Sequence, residues 1–524
     1  MANRIVGLHK LKKVKMTQKQ RTEWFLGIDL GTGSCKSVII DAQSHLLGFG
    51  ARGYPSAENN GQWEQDPEEL VHAMVRSVRA AIETAGVSPD ACQAMSIGGA
   101  YHSLIAMDRS DVPLTGVMTW VDNRAMKQAE AIRESPGIEA IYRQTGCPVH
   151  SMYPLYKIIW LREEQPDIFS QAIRFISAKE YVIKRLAGEY LIDFGIAGGT
   201  ALLNTHRLEW DSQSLDLAGI RESQLSSLVG PRQVLKGLNP ELAVQMGIPQ
   251  ETPLVLGSAD AVNSSLGAGA VSWGQATCMI GTSGAFRIIA PRVMLDAKVR
   301  SWCYAIDEGH WLVGGAINNG GLALTWLRDA FNQMFQSQAK DVRISFDELI
   351  ASASQVRPGA DGLICLPFFA GERSPYWNMN ARGVFFGLNL NHDARHLARS
   401  LMEGVAYRLR SIRDTLDDLG AEVSEIRASG GFTHSDLWPQ IIASVLDHDL
   451  VIPANGETSS LGAAFWALLG SGVVERFEDL YPLVAITKTY SPEPKEADLY
   501  DSLYKIYMNL YFQLGESFDQ ISKT

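Results

Sequence analysis

The sequence has 524 residues, 46% of them hydrophobic and 20% charged, with a formal net charge of −11. This length exceeds what one hydrophobic core organises, so we expect at least two domains. The acidic balance argues against a nucleic-acid partner, and the lack of an apolar run near the roughly 18 residues that span a bilayer, or of a secretory h-region, predicts a cytoplasmic protein without a membrane partner.

The first 22 residues are basic and precede the first predicted strand. We predict that residues 1–22 form a disordered leader, with Met16 as an alternative start, because a short basic tail is usually solvated. A targeting or nucleic-acid role is the second interpretation. The six cysteines are scattered and form no CxxC pair, which predicts reduced, mostly buried thiols and neither a metal site nor a disulfide framework.

The segment FLGIDLGTGSCKSVIID at 25–41 reads as a strand, a glycine-rich break and a second strand. In most glycine-rich nucleotide sites a helix follows the break and points its N-terminus at phosphate, but here no helical pattern follows. A hairpin turn of glycine, threonine and serine presents several amides and hydroxyls to one point, which binds anions without a helix dipole. We therefore predict a phosphate-binding turn at Thr32, Gly33 and Ser34.

Asp29 ends the first of these strands, directly beside the predicted phosphate turn. A carboxylate next to phosphates is repulsive unless a cation lies between them. We therefore predict that Asp29 holds Mg²⁺.

The following segments mix strand and helix patterns, which predicts an α/β fold. HLLGFGARGYP indicates a third strand, and a helix should begin at Pro67 with Asp66 as its N-cap. ACQAMSIGG indicates a buried strand, and residues 124–188 are largely helical with a break near CPVHSMYP. The composition turns small and glycine-rich near Gly267, which predicts a domain boundary.

Just beyond that boundary, QATCMIGTSGAFRIIA at 275–290 repeats the opening strand, turn and strand. Either turn alone is best interpreted as a tight hairpin without chemical function. Two copies, each opening one half of the chain, predict duplicated domains that face each other across a cleft. The second phosphate-binding turn is then formed by Gly281, Thr282 and Ser283.

These turns, together with GSADAV, NNGGLALTWLRD, PFFAGERSPYWN, ASGGFTHSDLWPQIIASVL and GETSSLGAAFWA, resemble the actin, hexokinase and sugar-kinase superfamily and, within it, the FGGY carbohydrate kinases. MYPLYKIIWLREE also looks like a signature segment of that family. The resemblance implies an α/β fold of two actin-like (ribonuclease H-like) ATPase domains. It implies an N-terminal sugar-binding domain at 23–269, a C-terminal nucleotide-binding domain at 270–524, and the use of ATP with Mg²⁺.

The resemblance implies a catalytic aspartate in a G-x-x-D segment at the end of the first domain, which GSADAV places at Asp260. Phosphoryl transfer to a sugar hydroxyl needs a carboxylate that accepts the hydroxyl proton as attack proceeds. Without the resemblance, Asp260 would be interpreted as a residue that caps the turn after the buried strand PLVLG.

The resemblance places the nucleotide in the second domain, where Gly430 and Gly431 let the backbone approach a purine or ribose closely. Ordinary turn chemistry is the alternative interpretation of the other residues carried over, which are Gly321, Thr325, Ser435 and Glu457. Glu372 and Arg373 of GERSPYW are expected to border the cleft, and a structural ion pair is the alternative for Arg373.

The acceptor is expected in the first domain, beneath the γ-phosphate. His102 follows the strand AMSIGG, and TWVDNRA offers Trp120, Asp122 and Arg124. An aromatic plane beside a carboxylate and a guanidinium is typical of polyol recognition. A buried histidine or tryptophan more often only packs in a core, but we predict that all four residues bind the acceptor.

Within the family, segments such as HSLIAMD, TWVDNRA and GTSGAFR most resemble gluconate kinases, which implies D-gluconate as acceptor and 6-phosphogluconate as product. One departure is Tyr101, which stands where these kinases, like xylulose kinases, commonly have methionine. Arg124 can pair with a sugar carboxylate, but a neutral ketose can bind the same guanidinium, so a xylulose or other pentulose kinase is the first alternative. A chaperone-type actin-like ATPase is the remote alternative, and a homodimer is left open.

Overall fold

The computed structural model describes residues 23–135, 138–337 and 343–523, and the predicted leader at residues 1–22 lies outside them. Residues 23–269 are called the first half below, and their strands are β1 Trp24–Leu30, β2 Ser34–Ile40, β3 Leu46–Gly53, β4 Ala57–Asn59, β5 Gln62–Gln65, β6 Cys92–Gly99, β7 Ile105–Met107, β8 Val117–Met118, β9 Arg174–Ile176, β10 Leu191–Asp193, β11 Leu203–Asn204, β12 Glu209–Trp210, β13 Ser227–Val229, β14 Val234–Leu235 and β15 Leu254–Val255. Its helices are α1 Pro67–Ala85, α2 Met126–Arg133, α3 Ile138–Thr145, α4 Pro154–Glu164, α5 Pro166–Gln171, α6 Ala178–Ala187, α7 Phe194–Gly198, α8 Ser212–Ala218, α9 Pro240–Met246 and α10 Asp260–Ala268.

The second half is the described chain from residue 270 onward. Its strands are β16 Gln275–Ile280, β17 Gly284–Ala290, β18 Trp302–Asp307, β19 His310–Ile317, β20 Ile364–Leu366, β21 Val384–Phe386, β22 Glu425–Ser429, β23 Leu450–Pro453 and β24 Ile486–Tyr490. Its helices are α11 Gly321–Ser337, α12 Phe346–Ala353, α13 Ala394–Asp418, α14 Leu437–Leu446, α15 Thr458–Gly470, α16 Pro494–Gln513 and α17 Gly515–Ile521.

The first half contains a six-stranded mixed sheet with the order β14-β15-β6-β1-β2-β3. Strand β1 is antiparallel to β2 and parallel to β6. All seven residues of β1 are buried, because helices cover the sheet. Asp29, the predicted magnesium ligand near the carboxyl end of β1, therefore stands on a strand whose residues are all buried.

The second half repeats this topology in a seven-stranded sheet with the order β18-β19-β17-β16-β22-β23-β24. Strand β16 is antiparallel to β17 and parallel to β22, as β1 is to β2 and β6. The predicted duplication of the opening hairpin is therefore confirmed. Each hairpin places its turn at the same end of the corresponding sheet.

Local sequence explains the first long helix. Asp66 accepts a hydrogen bond from the amide of Glu68, Pro67 takes the first helical position, and Gly86 ends α1 in the left-handed conformation at φ 63°. Asp66 and Pro67 are the two signals from which the sequence predicted the start of this helix. Gly86 was not predicted, and it ends the helix in the way that glycine commonly does. Buried residues of α1 recur at helical spacing and pack against β2 and β3.

Helices α10 and α15 cross at the junction of the two halves, and glycines permit their close approach. A Cβ on Gly462 would lie 1.8 Å from the carbonyl oxygen of Asn263, and one on Gly267 would lie 1.9 Å from that of Thr458. The Nε1 of Trp466 donates to the Oδ1 of Asn263 at 2.8 Å and braces the crossing. The residues near Gly267 are therefore small because the two helices pack closely there. The crossing also brings the start of α10 beside the start of α15.

All six cysteines lie among the described residues, and each is buried and unpaired, as the sequence predicts. Within residues 23–135, 138–337 and 343–523, no helix combines the length and apolar character needed to cross a membrane. The same ranges contain no group of three or more His, Cys, Asp or Glu side chains that could enclose a metal ion.

Candidate active site

Two cavities adjoin between the halves of the chain. The aromatic cavity, of about 230 Å³, is lined by side chains that include Thr32, Tyr101, His102, Trp120, Asp260, Ser283, Arg287, Trp302, Tyr304, Arg373 and Trp377. The acidic cavity, of about 220 Å³, is lined by residues that include Asp29, Lys36, Asp260, Ser264, Arg287, Ser429, Gly430, Glu457 and Thr458. Four residues line both cavities, namely Asp260, Ala261, Met279 and Arg287.

Asp260 is the carboxylate that the two cavities share. It is the first residue of α10, and its Oδ1 accepts a hydrogen bond of 2.7 Å from the amide of Ala261. Burial raises the pKa of Asp260, while the nearby Arg287 guanidinium and the amides of Ala261 and Tyr101 oppose that rise. A carboxylate with a raised pKa is suited to accept a proton. Because Asp260 lies at the junction, it could take that proton from a ligand in one cavity while this ligand reacts with a second ligand in the other cavity.

Asp29 lies in the acidic cavity and has an unusual environment for a carboxylate. It is 8% exposed, and its Oδ1 has no hydrogen-bond partner. Burial, followed by repulsion from Asp260, raises the pKa of Asp29 to about 7 despite the opposing charge of Lys36. A buried, unsatisfied carboxylate oxygen beside a second carboxylate is a favourable place for a divalent cation, because Mg²⁺ prefers oxygen ligands and reduces this repulsion.

The first predicted phosphate turn joins β1 to β2. The amide of Gly31 donates to the carbonyl of Ser34 at 3.1 Å, while the carbonyl of Gly31 accepts from the hydroxyl of Tyr54 and that of Thr32 from the side chain of Gln65. Thr32 lines the aromatic cavity, whereas Gly33 and Ser34 line neither cavity. The protein therefore holds the carbonyls of Gly31 and Thr32 in place, and the Thr32 hydroxyl, which accepts from Nε1 of Trp120, can still donate its own proton into the aromatic cavity.

The second turn, between β16 and β17, packs against the start of α11. The amides of Gly321 and Leu322 donate to the carbonyls of Gly281 and Thr282 at 2.7 and 3.0 Å. A Cβ on Gly321 would lie 2.7 Å from the Gly281 oxygen, so this glycine permits the contact. Ser283 lines the aromatic cavity, while Gly281, Thr282 and Gly321 line neither.

The remaining nucleotide candidates are distributed unevenly. Gly430, at φ 100°, and Glu457 line the acidic cavity, and Glu457 forms an ion pair of 2.6 Å with Lys36 of the first half. The other three line neither cavity, namely Thr325, Gly431 and Ser435. The Thr325 hydroxyl donates to a helix carbonyl, and the Ser435 hydroxyl accepts from the amide at the second position of α14, which are ordinary local bonds.

His102 reaches the aromatic cavity from the loop after β6, with its backbone at φ 65°. Its Nδ1 lies 2.6 Å from the carbonyl oxygen of Gly199, and because that oxygen only accepts, Nδ1 carries the proton. Burial lowers the pKa of His102 to about 3, so the ring is neutral at pH 7. The Nε2 atom is then an acceptor for a hydroxyl group.

Trp120 lines the same cavity and links three predicted components of the site. Its Nε1 donates to the hydroxyl of Thr32 at 2.8 Å, which ties the segment TWVDNRA at 119–125 to the first predicted phosphate turn. The Arg373 guanidinium lies over its ring at 5.0 Å. Arg373 is 8% exposed, and its Nε has no hydrogen-bond partner.

The structure does not bring Asp122 and Arg124 to the aromatic cavity. Arg124 donates through Nε and Nη2 to both carboxylate oxygens of Asp122, at 2.9 and 2.8 Å, and pairs with Glu64 at 2.7 Å. The Asp122 carboxylate is fully buried and also accepts from the amide of Trp63. In this geometry the pair braces the loop that carries Trp120, and Arg124 lines a separate cavity in the first half.

Several residues of the aromatic cavity were not singled out as binding candidates from the sequence. They are Tyr101, Arg287, Trp302, Tyr304 and Trp377. Lys157 of α4 is fully buried beneath the cavity, and its Nζ donates to the carbonyls of His102 and Thr119 at 2.7 Å. In the sequence, Lys157 stood out only as part of the segment MYPLYKIIWLREE. No local sequence pattern indicates that Lys157 contacts the loops of His102 and Thr119.

The repeated sheets, the two hairpin turns and the cavities between the halves define a protein of the two-domain actin-like ATPase fold. A family model described as the N-terminal domain of the FGGY family of carbohydrate kinases matches residues 24–267, and the C-terminal domain model matches residues 276–471. The chain belongs to the FGGY family of carbohydrate kinases, which transfer a phosphoryl group from ATP.

Similar proteins include kinases for two types of acceptor. The chain is 38% identical to the gluconokinase of Bacillus subtilis, with 96% of this chain and 98% of that protein covered. It is 26% identical to the xylulose kinase of the same organism, with 93% of this chain and 97% of that protein covered. Among solved structures, a gluconate kinase and a xylulose kinase, both from Lactobacillus acidophilus, each give a TM-score of 0.89 at 31% identity, covering 95% of this chain and 99% and 100% of theirs.

Proposed function

We propose that the protein is an ATP-dependent gluconate kinase that converts D-gluconate to 6-phosphogluconate. The charge of the aromatic cavity is the observation that carries this choice of acceptor. Among the described residues, Asp260 is the only carboxylate in its lining, whereas Arg287 and Arg373 both contribute guanidinium groups. With His102 neutral, the lining has one cation more than it has anions, which favours an acceptor that bears a carboxylate.

Arg373 is the best partner for that carboxylate. Its hydrogen bond of 3.2 Å goes to the neutral carbonyl of Ile317, and no carboxylate of the described residues lies within ion-pair distance of its guanidinium. A buried cation without an anion is costly, so a neutral ketose would leave this charge uncompensated. Gluconate supplies the missing anion. Arg124, in contrast, already has two carboxylate partners.

The other groups of the aromatic cavity suit a polyol chain. His102 offers Nε2 as an acceptor, and the buried hydroxyl of Tyr101 has no hydrogen-bond partner. The acceptor hydroxyl that reacts lies against Asp260, which takes its proton as the oxygen attacks the γ-phosphorus of ATP. The nucleotide approaches from the acidic cavity, where Gly430 and Glu457 lie. Thr32 and Ser283 of the two hairpin turns line the adjoining aromatic cavity, from which their hydroxyls face the phosphoryl group that is transferred.

Mg²⁺ fits the acidic cavity because the Oδ1 of Asp29 is buried and unsatisfied beside Asp260. Asp29 would hold the ion, through water or directly, and Asp260 and Glu457 are further carboxylates of that cavity. When bound, the ion neutralises phosphate charge.

A pentulose kinase is the second candidate function, favoured by the equal TM-scores of the gluconate and xylulose kinase structures. The test is a panel of gluconate, xylulose, other sugars and other sugar acids as acceptors for the purified enzyme with ATP and Mg²⁺. We expect gluconate to give the highest kcat/KM and a product that a 6-phosphogluconate-consuming dehydrogenase oxidises. Faster phosphorylation of xylulose would overturn this acceptor, and ATP turnover that no acceptor stimulates would favour a chaperone-type ATPase.

A further inference from the structure

Arg287 lies where the two cavities of the active site meet. It is part of β17 and lines both the aromatic and the acidic cavity, as Asp260 does. It is 4% exposed. A side chain at this junction can contact ligands in both cavities. If the nucleotide binds in the acidic cavity and the acceptor in the aromatic cavity, the phosphoryl group passes this junction as it is transferred.

The guanidinium of Arg287 has no partner in the described part of the chain. Its Nε has no hydrogen-bond partner, and no carboxylate lies within the 4.0 Å of an ion pair. Arg399, a buried arginine of the same half, is paired with Glu403 at 2.7 Å, whereas Arg287 shares with Arg373 the lack of a carboxylate partner among the described residues. Burial lowers the pKa of Arg287, and the charge of Asp260 opposes that effect. A buried cation that stays unpaired costs stability, which indicates that its anion arrives with a ligand.

The backbone of Arg287 is held rigidly. In the sheet it lies opposite Thr277 of β16 and Gly314 of β19. A Cβ on Gly314 would lie 2.7 Å from the Cβ of Arg287, so the glycine makes room for this side chain. The second phosphate turn ends at Ser283, directly before β17. Arg287 therefore has a fixed position relative to that turn, as electrostatic preorganisation requires.

We propose that Arg287 binds the phosphoryl group during transfer and neutralises the charge of its equatorial oxygens. The bond between the γ-phosphorus and the bridging oxygen to the β-phosphate breaks, the bond between the γ-phosphorus and the acceptor oxygen forms, and Asp260 takes the hydroxyl proton. Arg287 stays protonated throughout. The assignment rests on phosphoryl transfer from ATP and does not depend on which sugar or sugar acid is the acceptor.

Two other roles for Arg287 make different predictions. If it only kept Asp260 ionised, its removal would raise the pKa of that base, and activity would return at alkaline pH. If it only bound the acceptor carboxylate, its removal would raise the KM for a sugar acid and leave neutral acceptors unaffected. A phosphoryl ligand instead lowers kcat for every acceptor at every pH, with little change in KM.

The experiment compares Arg287→Met and Arg287→Lys with the wild type, using the acceptor that the wild type phosphorylates fastest, between pH 6 and 9. Arg292→Met is the matched control, because Arg292 is an exposed arginine five residues further along the chain. We expect the methionine variant to lose kcat by about 10³-fold or more, as when an arginine that stabilises a transferring phosphoryl group is lost. The KM values should stay within about threefold, the lysine variant should keep part of the activity, and the control should match the wild type.

Thermal unfolding without ligands provides a readout that needs no acceptor. Because Arg287 is buried and unpaired, Arg287→Met should unfold at the wild-type temperature or above, whereas a structural arginine would lower it. A marked drop in unfolding temperature, recovery of kcat at alkaline pH, a loss confined to acidic acceptors, or a kcat within tenfold of wild type would each overturn the proposal. If the wild type phosphorylates no acceptor, the proposed function fails, and the unfolding temperature still decides whether Arg287 is structural.

Discussion

The guanidinium of Arg373 lies 5.0 Å from the centre of the Trp120 ring, so a cation from the second half of the chain contacts an aromatic ring from the first. Both residues line the aromatic cavity. Trp120 is in turn linked to the first hairpin turn, because its Nε1 donates to the hydroxyl of Thr32 at 2.8 Å. The proposed acceptor site and the predicted phosphate turn are therefore in contact through one tryptophan.

The first prediction concerns the charge that selects the acceptor. Arg373→Met should lower kcat/KM for gluconate by an amount that corresponds to roughly 2–5 kcal/mol of lost transition-state stabilisation, because the substrate carboxylate would be buried without its cation. A neutral polyol or ketose should be affected much less. Steady-state kinetics with gluconate and with a neutral acceptor measure the difference, and an equal loss with both acceptors would argue against this partner for the carboxylate.

Arg124→Met is the matched comparison, because the sequence alone favoured Arg124 as the partner of the carboxylate. In the structure this guanidinium is bound by Asp122 and Glu64, so its removal leaves the fully buried carboxylate of Asp122 unpaired. We expect a loss of roughly 3–5 kcal/mol in the free energy of unfolding, with similar effects on all acceptors. A selective loss with gluconate in a stable Arg124→Met protein would restore the interpretation from the sequence.

The second prediction concerns Asp260. Asp260→Asn keeps the size and the hydrogen-bonding capacity of the side chain but removes the base, so kcat should fall by the roughly 10²–10⁴-fold typical of lost acid–base catalysis. Binding of ATP, measured by calorimetry, should remain near the wild-type affinity. Turnover close to that of the wild type would remove Asp260 from the proposed mechanism.

The third prediction concerns Asp29, whose pKa burial raises from 3.8 to about 7. Between these values the folded protein holds a proton that the unfolded chain has lost. Its contribution to the free energy of unfolding is therefore fully present below pH 4 and is lost as the pH rises to 7, at up to about 1.4 kcal/mol per pH unit. Asp29→Asn should remove that pH dependence and raise the stability without ligands at pH 8.

Chemical denaturation at several pH values measures this effect, with Asp90→Asn as an exposed control. Calorimetry should also show weaker binding of Mg²⁺ with ATP to Asp29→Asn, and for the wild type a decline in this binding as the pH falls below 7, because protonation competes with the ion. An unchanged dependence on Mg²⁺ in the variant would exclude Asp29 as its ligand.

The fourth prediction concerns the crossing of α10 and α15. Gly462→Ala would place a Cβ 1.8 Å from the carbonyl oxygen of Asn263, so the helices would have to separate. We expect a loss of about 1–3 kcal/mol or more in the free energy of unfolding, together with reduced activity, since the crossing sets the position of Asp260 relative to Glu457. Gly515→Ala, which meets no atom within 4 Å, should be nearly neutral, and equal effects of the two changes would contradict this role of the crossing.

Much of this protein could be predicted from the sequence because its signals are local. The alternation of apolar strands with a Gly-Thr-Ser turn gave the two hairpins, and their repetition gave the duplicated domains. Asp29 could be chosen because a carboxylate beside a phosphate turn already implies a cation. Asp260 could not be chosen from local signals alone. The segment GSADAV looks like an ordinary helix start until its resemblance to a kinase motif is considered.

The partners of the charged side chains were decided only by the tertiary structure. Trp120 and Arg124 are four residues apart in one segment, but the first faces the aromatic cavity and the second is bound by Glu64 on the other side of the loop. Arg373 was expected from the sequence to border the cleft, with a structural ion pair as the alternative, whereas Arg287 became a site candidate only because folding left it buried without a carboxylate partner among the described residues. The sequence determines which charges exist, whereas the energy of each buried charge depends on which groups the fold places around it, because electrostatic interactions act through space and not along the chain.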